Sequence, residues 1–393
     1  MKKIIQKISH WTLGIALLGC AITPARAFNA MYVFGDALST TTNNSFAATY
    51  PKQYYGNRYS NGRLWVEVLA QRQGVPVNMN WSYFDCNSAK LWTNTQNFSI
   101  TQQAASNALA VVWCNNSDLY DLSQQFNTNI VYWTTNIMRA QTNEFRAITN
   151  LYAKGFRTII APGAVDLSEV PAFCYSAGYQ SNFLKFLRQQ CSAYNTNFVS
   201  TLNRARAACP GLTIYEPNFF GLLDNVLTNA ASYGLTNALA ANGMPIDAFD
   251  ALYPNCSTNG LGANYVYWDN LDPSAKFHEI IGDTVQQLIS PVQIARITTL
   301  NSSNQLDVIN VPLGLNGFVE TCTNLSSPNW TQLQSISGAS GAQSYFVPLP
   351  PNGTGSQQHF APRDITPPGP GGTVNVTALA FYRMNYPYQW VWP

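Results

Sequence analysis

The chain has 393 residues, of which 46% are hydrophobic and 13% aromatic. That length suggests about two or three domains, and the apolar content is too high for a disordered chain. Only 10% of residues are charged, against about 25% in ordinary soluble domains, so uncharged polar side chains must cover the surface. A net charge of +2 with no basic stripe or tail excludes nucleic acid as an expected partner.

The first 27 residues read as a signal peptide. Lys2, Lys3 and Lys7 precede an apolar run from Trp11 to Thr23, and Ala25-Arg26-Ala27 puts small residues at a cleavage position. The apolar run is too short to span a bilayer, and no transmembrane segment is expected in the mature chain. Removing these bases reverses the sign of the net charge. The expected location is secreted or cell-surface. Leu18-Gly19-Cys20 offers an alternative, a lipoprotein anchored through Cys20. In an oxidising compartment, disulfides are expected among Cys86, Cys114, Cys174, Cys191, Cys209 and Cys256, with Cys322 as the odd one out.

From Phe28 to about Ile289, short strands alternate with helices. Strands are expected at Met31–Phe34, Val75–Val77, Ala108–Trp113, Arg157–Ala161 and Leu212–Tyr215. Leu64, Trp65, Val68 and Leu69 share a helix face. Leu187, Cys191, Tyr194, Phe198, Leu202 and Ala205 recur every three or four residues, a long amphipathic helix stopped at Pro210-Gly211. This alternation argues for a parallel sheet covered on both faces, with its site in the loops at the strands' carboxyl ends. Beyond Ser290-Pro291, β-like runs at Gln293–Thr299, Gln305–Val311, Gly317–Thr323, Trp330–Ser335, Tyr345–Val347 and Ala378–Met384 are separated by Ser, Asn, Gly and Pro clusters. They read as a small all-β sandwich-like domain, with a long loop at Pro367–Gly372. The expected division is a leader at 1–27, an α/β domain at 28–290 and a β domain at 291–393.

Five segments in order carry a family resemblance. They are Tyr32-Val33-Phe34-Gly35-Asp36-Ala37-Leu38-Ser39, Arg58-Tyr59-Ser60-Asn61-Gly62-Arg63-Leu64-Trp65, Asp166-Leu167 with Pro171-Ala172-Phe173, Tyr233-Gly234-Leu235-Thr236-Asn237, and Trp268-Asp269-Asn270-Leu271-Asp272-Pro273-Ser274 closing with His278. Together they resemble the GDSL/SGNH esterases and lipases over about residues 28–289. The resemblance implies a flavodoxin-like three-layer α/β/α fold and ester hydrolysis through an acyl-enzyme.

The chemistry departs from that pattern. The family's nucleophilic Ser is Ala37 here, and its general-base His is Asp272. Its Gly-x-Asn-Asp element reads Asn115-Asn116-Ser117-Asp118, so Ser117 replaces the oxyanion Asn. Aligning the family's Asn-aromatic-Ala-x-Gly-Gly run with Asn97-Phe98-Ser99-Ile100 puts Thr101 at the oxyanion Gly. Of the catalytic set only Asp269, the orienting acid, is retained. Ala37 has no oxygen to acylate, and a carboxylate cannot replace a neutral imidazole as proton acceptor near pH 7. One substitution could be an engineered knockout; four separate losses point to a pseudoenzyme.

No cofactor is expected. If the fold holds, Asp36, Asp118, Asp269 and Asp272 converge on the former cleft. That cluster is either structural, a site for a cation or sugar hydroxyls, or a source of a general base at Asp272 acting on water. Trp81, Tyr83, Phe84 and Trp92 either pack in the core or form a platform for a glycan, lipid or acyl ligand. His278 is expected to be structural, on a helix face with Phe277, Ile281 and Val285; His359 is expected to be structural or solvated. Ser39 also reads as structural. The expected function is non-catalytic binding, or an extracellular structural role through self-association or assembly; the alternative is a working ester hydrolase with a carboxylate-based site.

Overall fold

The computed structural model describes residues 28–175, 181–235, 238–300, 303–322, 329–348 and 380–386. The signal peptide, Cys20, His359 and the Pro367–Gly372 loop lie outside the described residues.

Five parallel strands form the central sheet: β1 (Ala30–Gly35), β2 (Val77–Asn80), β3 (Ala108–Trp113), β4 (Thr158–Ile160) and β5 (Thr213–Tyr215), in the order β2-β1-β3-β4-β5. Strands β1 and β3 are buried along their whole length, as continuous apolar runs covered on both faces must be. The second strand runs two residues later than the sequence pattern suggests. Between β1 and β3 lie α1 (Trp65–Gln73), α2 (Ser88–Asn97) and α3 (Gln102–Ser106). Next come α4 (Asn115–Ser123), α5 (Ile130–Ala153), α6 (Pro171–Cys174) and α7 (Ser181–Ala208). The last helices of this part are α8 (Phe219–Thr228), α9 (Ala248–Leu252) and α10 (Ala275–Ile289).

Helix α5 packs on α2 and α7, while α1 packs on α10. The α1–α10 approach depends on Gly282, where an added Cβ would lie 2.9 Å from Val68 and 3.0 Å from the Trp65 carbonyl oxygen. On the same side, Phe219 of α8 wedges against Trp113 and Trp65, with ring centroids 4.8 and 6.0 Å away. The Trp65 indole donates to Ser39 Oγ at 3.1 Å, the structural role expected for that serine.

The C-terminal part holds two three-stranded antiparallel sheets. Strands β6 (Gln293–Thr299), β7 (Ser303–Ile309) and β10 (Ala342–Pro348) form one, with β7 central. Strands β8 (Gly317–Cys322), β9 (Thr331–Ile336) and β11 (Phe381–Asn385) form the other, with β8 central. Leu306, Val308, Val319, Ile336 and Val347 make their own core. This part is tied to the C-terminal end of α1. The Leu313 N–H donates to the Arg72 carbonyl at 3.1 Å, and the Arg72 guanidinium donates to the Leu313 carbonyl at 3.2 Å.

The expected disulfides are corrected: Cys86, Cys114, Cys174, Cys191, Cys209, Cys256 and Cys322 are all free. They are spread over separate elements and lodge individually. Cys191 is buried midway along α7, Cys256 belongs to a separate small cluster with Trp268, and Cys174 donates to the Ser168 carbonyl. Burial pushes the Cys86 thiol up to about 12.

Candidate functional site

The site forms where β1 and β3 end. A Cβ at Gly35 would lie 2.7 Å from the Trp113 carbonyl oxygen, so glycine permits the two chain ends to close up. The Asp36 N–H donates to that carbonyl, and its carboxylate caps the following 3-10 turn by accepting from Leu38 N at 3.1 Å. Asp36 is 3% exposed, and burial pushes its carboxyl up to about 7 despite these bonds. Ala37 comes next and lines a cavity of about 100 Å³ with Asp36, Asn116, Ser117 and Asp272.

After β3, Asn115 Nδ2 donates to the Pro162 carbonyl at 2.8 Å, and Asn116 Oδ1 accepts from Val165 N at 3.0 Å. These bonds pin the β3 loop to the β4 loop. The Asn116 side-chain amide lies against the Asp36 carboxylate and favours its ionised form. Asp118 stands behind Asp36 instead of lining the cavity. It accepts from Ser88 N and Ser88 Oγ, both at 2.9 Å, and burial pushes it up to about 7.

The last block closes the other side. Asp269 Oδ1 accepts from Leu271 N at 3.0 Å and Asp272 N at 2.8 Å, while Oδ2 accepts from the Tyr54 hydroxyl at 2.9 Å. Asp269 therefore backs Asp272 and does not itself line the cavity. Asp272 is buried; desolvation, the charges of Asp269 and Asp36 and its hydrogen bond with Asp269 hold its carboxyl well above the usual range.

One alignment needs correction. Thr101 caps α3 by accepting from Ala104 N at 3.3 Å, is exposed and does not line the cavity. The loop that follows β2 does reach it, through Phe84 and Asp85. Here Asn80-Trp81-Ser82-Tyr83-Phe84-Asp85 repeats the Asn-aromatic-small pattern and places Phe84 and Asp85 at the two glycines. Asp85 has φ 66°, the left-handed backbone that a glycine would take without strain. The early part of this loop extends β1's pairing: Trp81 N donates to the Val33 carbonyl and Tyr83 N to the Gly35 carbonyl. Trp81 and Tyr83 pack against the core, and Trp92 lies under the Arg146 guanidinium. Of the four aromatics singled out, Phe84 alone reaches the cavity.

The remaining wall is apolar except for Asp121 at its exposed end. Leu38, Val165, Leu167, Val170 and Leu271 contribute, and Tyr120 meets Phe173 edge-to-face at 5.9 Å. His278 is fully enclosed, with both ring nitrogens unpartnered, and burial lowers it to about 3, so it stays neutral. Among the described residues, the one group of three or more potential ligand side chains with atoms within 4.8 Å of one another is Asp166, Glu169 and Asp224. Arg188 bonds to all three, so a guanidinium fills that cluster.

A family model described as GDSL-like lipase/acylhydrolase matches residues 31–285. The chain belongs to that family. Similar solved structures include a lipase from a goat rumen metagenome at 8% identity, covering 66% of this chain and 97% of the lipase, with a TM-score of 0.37. An acetylxylan esterase from Geobacillus stearothermophilus is 11% identical, covering 66% and 94% of the two chains, with a TM-score of 0.37. A lipolytic G-D-S-L protein from Veillonella parvula is 15% identical over 55% and 89%, with a TM-score of 0.28. No curated protein matches the chain. Among the described residues no helix is long and apolar enough to cross a membrane. The segment that follows β1 in this GDSL-family chain reads Gly35-Asp36-Ala37-Leu38.

Proposed function

We propose that this GDSL-family chain is a secreted ligand-binding protein that has lost acyl-enzyme chemistry. The observation that carries the proposal is Ala37, which lines the cavity at the turn where the family's serine stands. Without an oxygen there, no covalent acyl intermediate forms. Phe84 and Ser117 at the oxyanion positions, and at the base position an Asp272 carboxyl held well above its usual range by burial, remove the supporting parts as well. What persists is a partly open cavity whose apolar wall carries several polar side chains, a form that suits a small-molecule site.

A second reading has one observation in its favour. Asp36 and Asp272 face the same cavity with raised proton affinities, and such pairs can divide acid and base roles in activating water. A p-nitrophenyl acetate and p-nitrophenyl butyrate assay separates the readings. The wild type should run at background. An Ala37→Ser/Asp272→His variant should gain measurable turnover, since the Asp269 orienting bonds already exist. Wild-type turnover well above background would support the hydrolase reading and defeat the binding one.

A further inference from the structure

The helices on the two sides of the central sheet differ in charge. On one side α2 carries Lys90, α5 carries Arg139 and Arg146, and α7 carries Lys185, Arg188, Arg204 and Arg206. The one acid on these three helices, Glu144, is buried. On the other side α1, α8 and α10 hold Arg72 and Lys276 against Glu67, Asp224, Glu279 and Asp283. Lys90 and Arg188 are ion-paired with acids outside their layer. Among the described residues, Arg139, Arg146, Lys185, Arg204 and Arg206 form no salt bridge. Two acids act on them at a distance, the buried Asp118 on Arg139 and Glu216 on Arg206. Arg146 lies over the Trp92 ring at 4.7 Å and Arg204 over Phe145 at 5.2 Å. No basic stripe shows along the sequence because these bases sit on helices far apart in the chain.

The same layer exposes apolar side chains. On α5, Val131 is 73% exposed and Met138 62%, with Ile130 exposed beside them; on α7, Val199 is exposed. Among the described residues, the helices of the opposite layer expose one large apolar side chain, Leu288 of α10. Val131, Thr135, Met138, Thr142 and Arg146 recur every three or four positions on the solvent side of α5, so the apolar residues and the bases share one face. Helix α7 lies alongside and runs in the same direction. Trp133 meets Phe186 at 5.5 Å, Gln141 donates to the Tyr194 carbonyl at 2.9 Å, and the Tyr152 hydroxyl donates to the Pro210 carbonyl at 2.9 Å.

We propose that the α5–α7 face seats the protein on a bilayer that carries anionic lipids. Lipid phosphates take up the unpaired bases, and Ile130, Val131 and Met138 enter the boundary between head groups and acyl chains. A soluble polyanion would meet the bases and leave those aliphatic side chains in water. A second copy docked through the same face would set unpaired bases against one another. The proposal goes beyond the cavity and holds whether the cavity binds a ligand or hydrolyses one.

The test uses the full mature chain and vesicle flotation. Vesicles of phosphatidylcholine alone are compared with vesicles in which about a third of the lipid is phosphatidylglycerol. The chain should bind the anionic vesicles at least about tenfold more tightly. Raising salt from about 0.1 M to about 1 M should remove most of that advantage. Arg139→Gln/Arg146→Gln/Lys185→Gln should lower the affinity at least about tenfold, with the fold intact by circular dichroism. A control with as many exposed or half-exposed bases removed elsewhere, Lys52→Gln/Arg63→Gln/Lys276→Gln, should lower it far less. Val131→Ser/Met138→Ser keeps every charge and should weaken vesicle binding several-fold while leaving any retention on dextran sulfate or duplex DNA unchanged. Equal affinity for the two kinds of vesicle, no binding to either, or equal losses in the two triple variants would overturn the proposal. Binding to dextran sulfate or DNA with vesicle affinity untouched by Val131→Ser/Met138→Ser would also overturn it and assign the face to a soluble polyanion.

Discussion

Two buried acidic regions lie at opposite ends of this molecule's logic. Between α1 and α10, Asp283 is 1% exposed and meets the Arg72 Nε at 2.6 Å, with Glu279 also on the guanidinium. That charge is paired, and the same arginine holds Leu313 of the C-terminal part. At the end of β1, Asp36 and Asp272 are also buried but line a cavity that no basic side chain lines. The first region uses its buried charge to join two parts of the chain. The second leaves proton affinity unspent, which is what a structural core would be expected to eliminate and a ligand can use.

Removing the cation from the paired region should have the largest effect. Arg72→Met leaves Asp283 and the Leu313 carbonyl without their partner and should cost about 3–5 kcal/mol, the usual result of breaking a buried pair from one side. Thermal unfolding monitored by circular dichroism measures it. A loss comparable to that of a surface substitution would mean that the two parts are held by something else.

The unpaired region should show itself through pH. Asp36 and Asp118 are each pushed up to about 7 in the folded chain, from an ordinary value of 3.8. Raised carboxyls keep their protons in the fold while the unfolded chain loses them. Their contribution is therefore fully present below about pH 4 and is lost as pH rises through about 7. Asp283, pushed up to about 6, adds to the same slope. Asp36→Asn should flatten the fall in stability between pH 4 and pH 7 by an amount of order a few kcal/mol; urea unfolding at several pH values reads this directly. An unchanged slope would show that the cavity acids are compensated after all.

The smallest effect concerns Asp85. Its left-handed backbone should favour glycine, so Asp85→Gly should change stability by less than about 1 kcal/mol, in the stabilising direction, because the relief is offset by glycine's greater freedom when unfolded. Marked destabilisation would mean that the Lys90 contact outweighs the strain.

How far the sequence could be read follows from how local each signal is. The ends of β1 and the last block were legible because turn and caps are encoded within a few consecutive residues, Gly35-Asp36 and Asp269–Ser274. Strand β3 was legible because Ala108–Trp113 is an unbroken apolar run. Asn97-Phe98-Ser99 imitated the oxyanion block because its pattern also occurs at Asn80-Trp81-Ser82; only the pairing of Trp81 and Tyr83 with β1 distinguishes them. Helix α5 went unread although Trp133, Ile137, Ala140, Glu144, Ala147, Ile148 and Leu151 mark its buried face. Its buried Glu144 and Gln141 blur the apolar stripe; Glu144 receives the Tyr194 hydroxyl and Gln141 donates to the Tyr194 carbonyl at 2.9 Å. The free cysteines and the acidic mouth at Asp85 and Asp121 depend on contacts between distant segments, which spacing along the chain does not report.

The most direct measurement is the rate of p-nitrophenyl ester hydrolysis by the wild type and Asp272→Asn, side by side from pH 5 to pH 9. Background rates for both at every pH are the expected result, since Ala37 offers no nucleophile. A bell-shaped wild-type rate that disappears in Asp272→Asn would contradict the account and make the two cavity carboxyls a working hydrolytic pair.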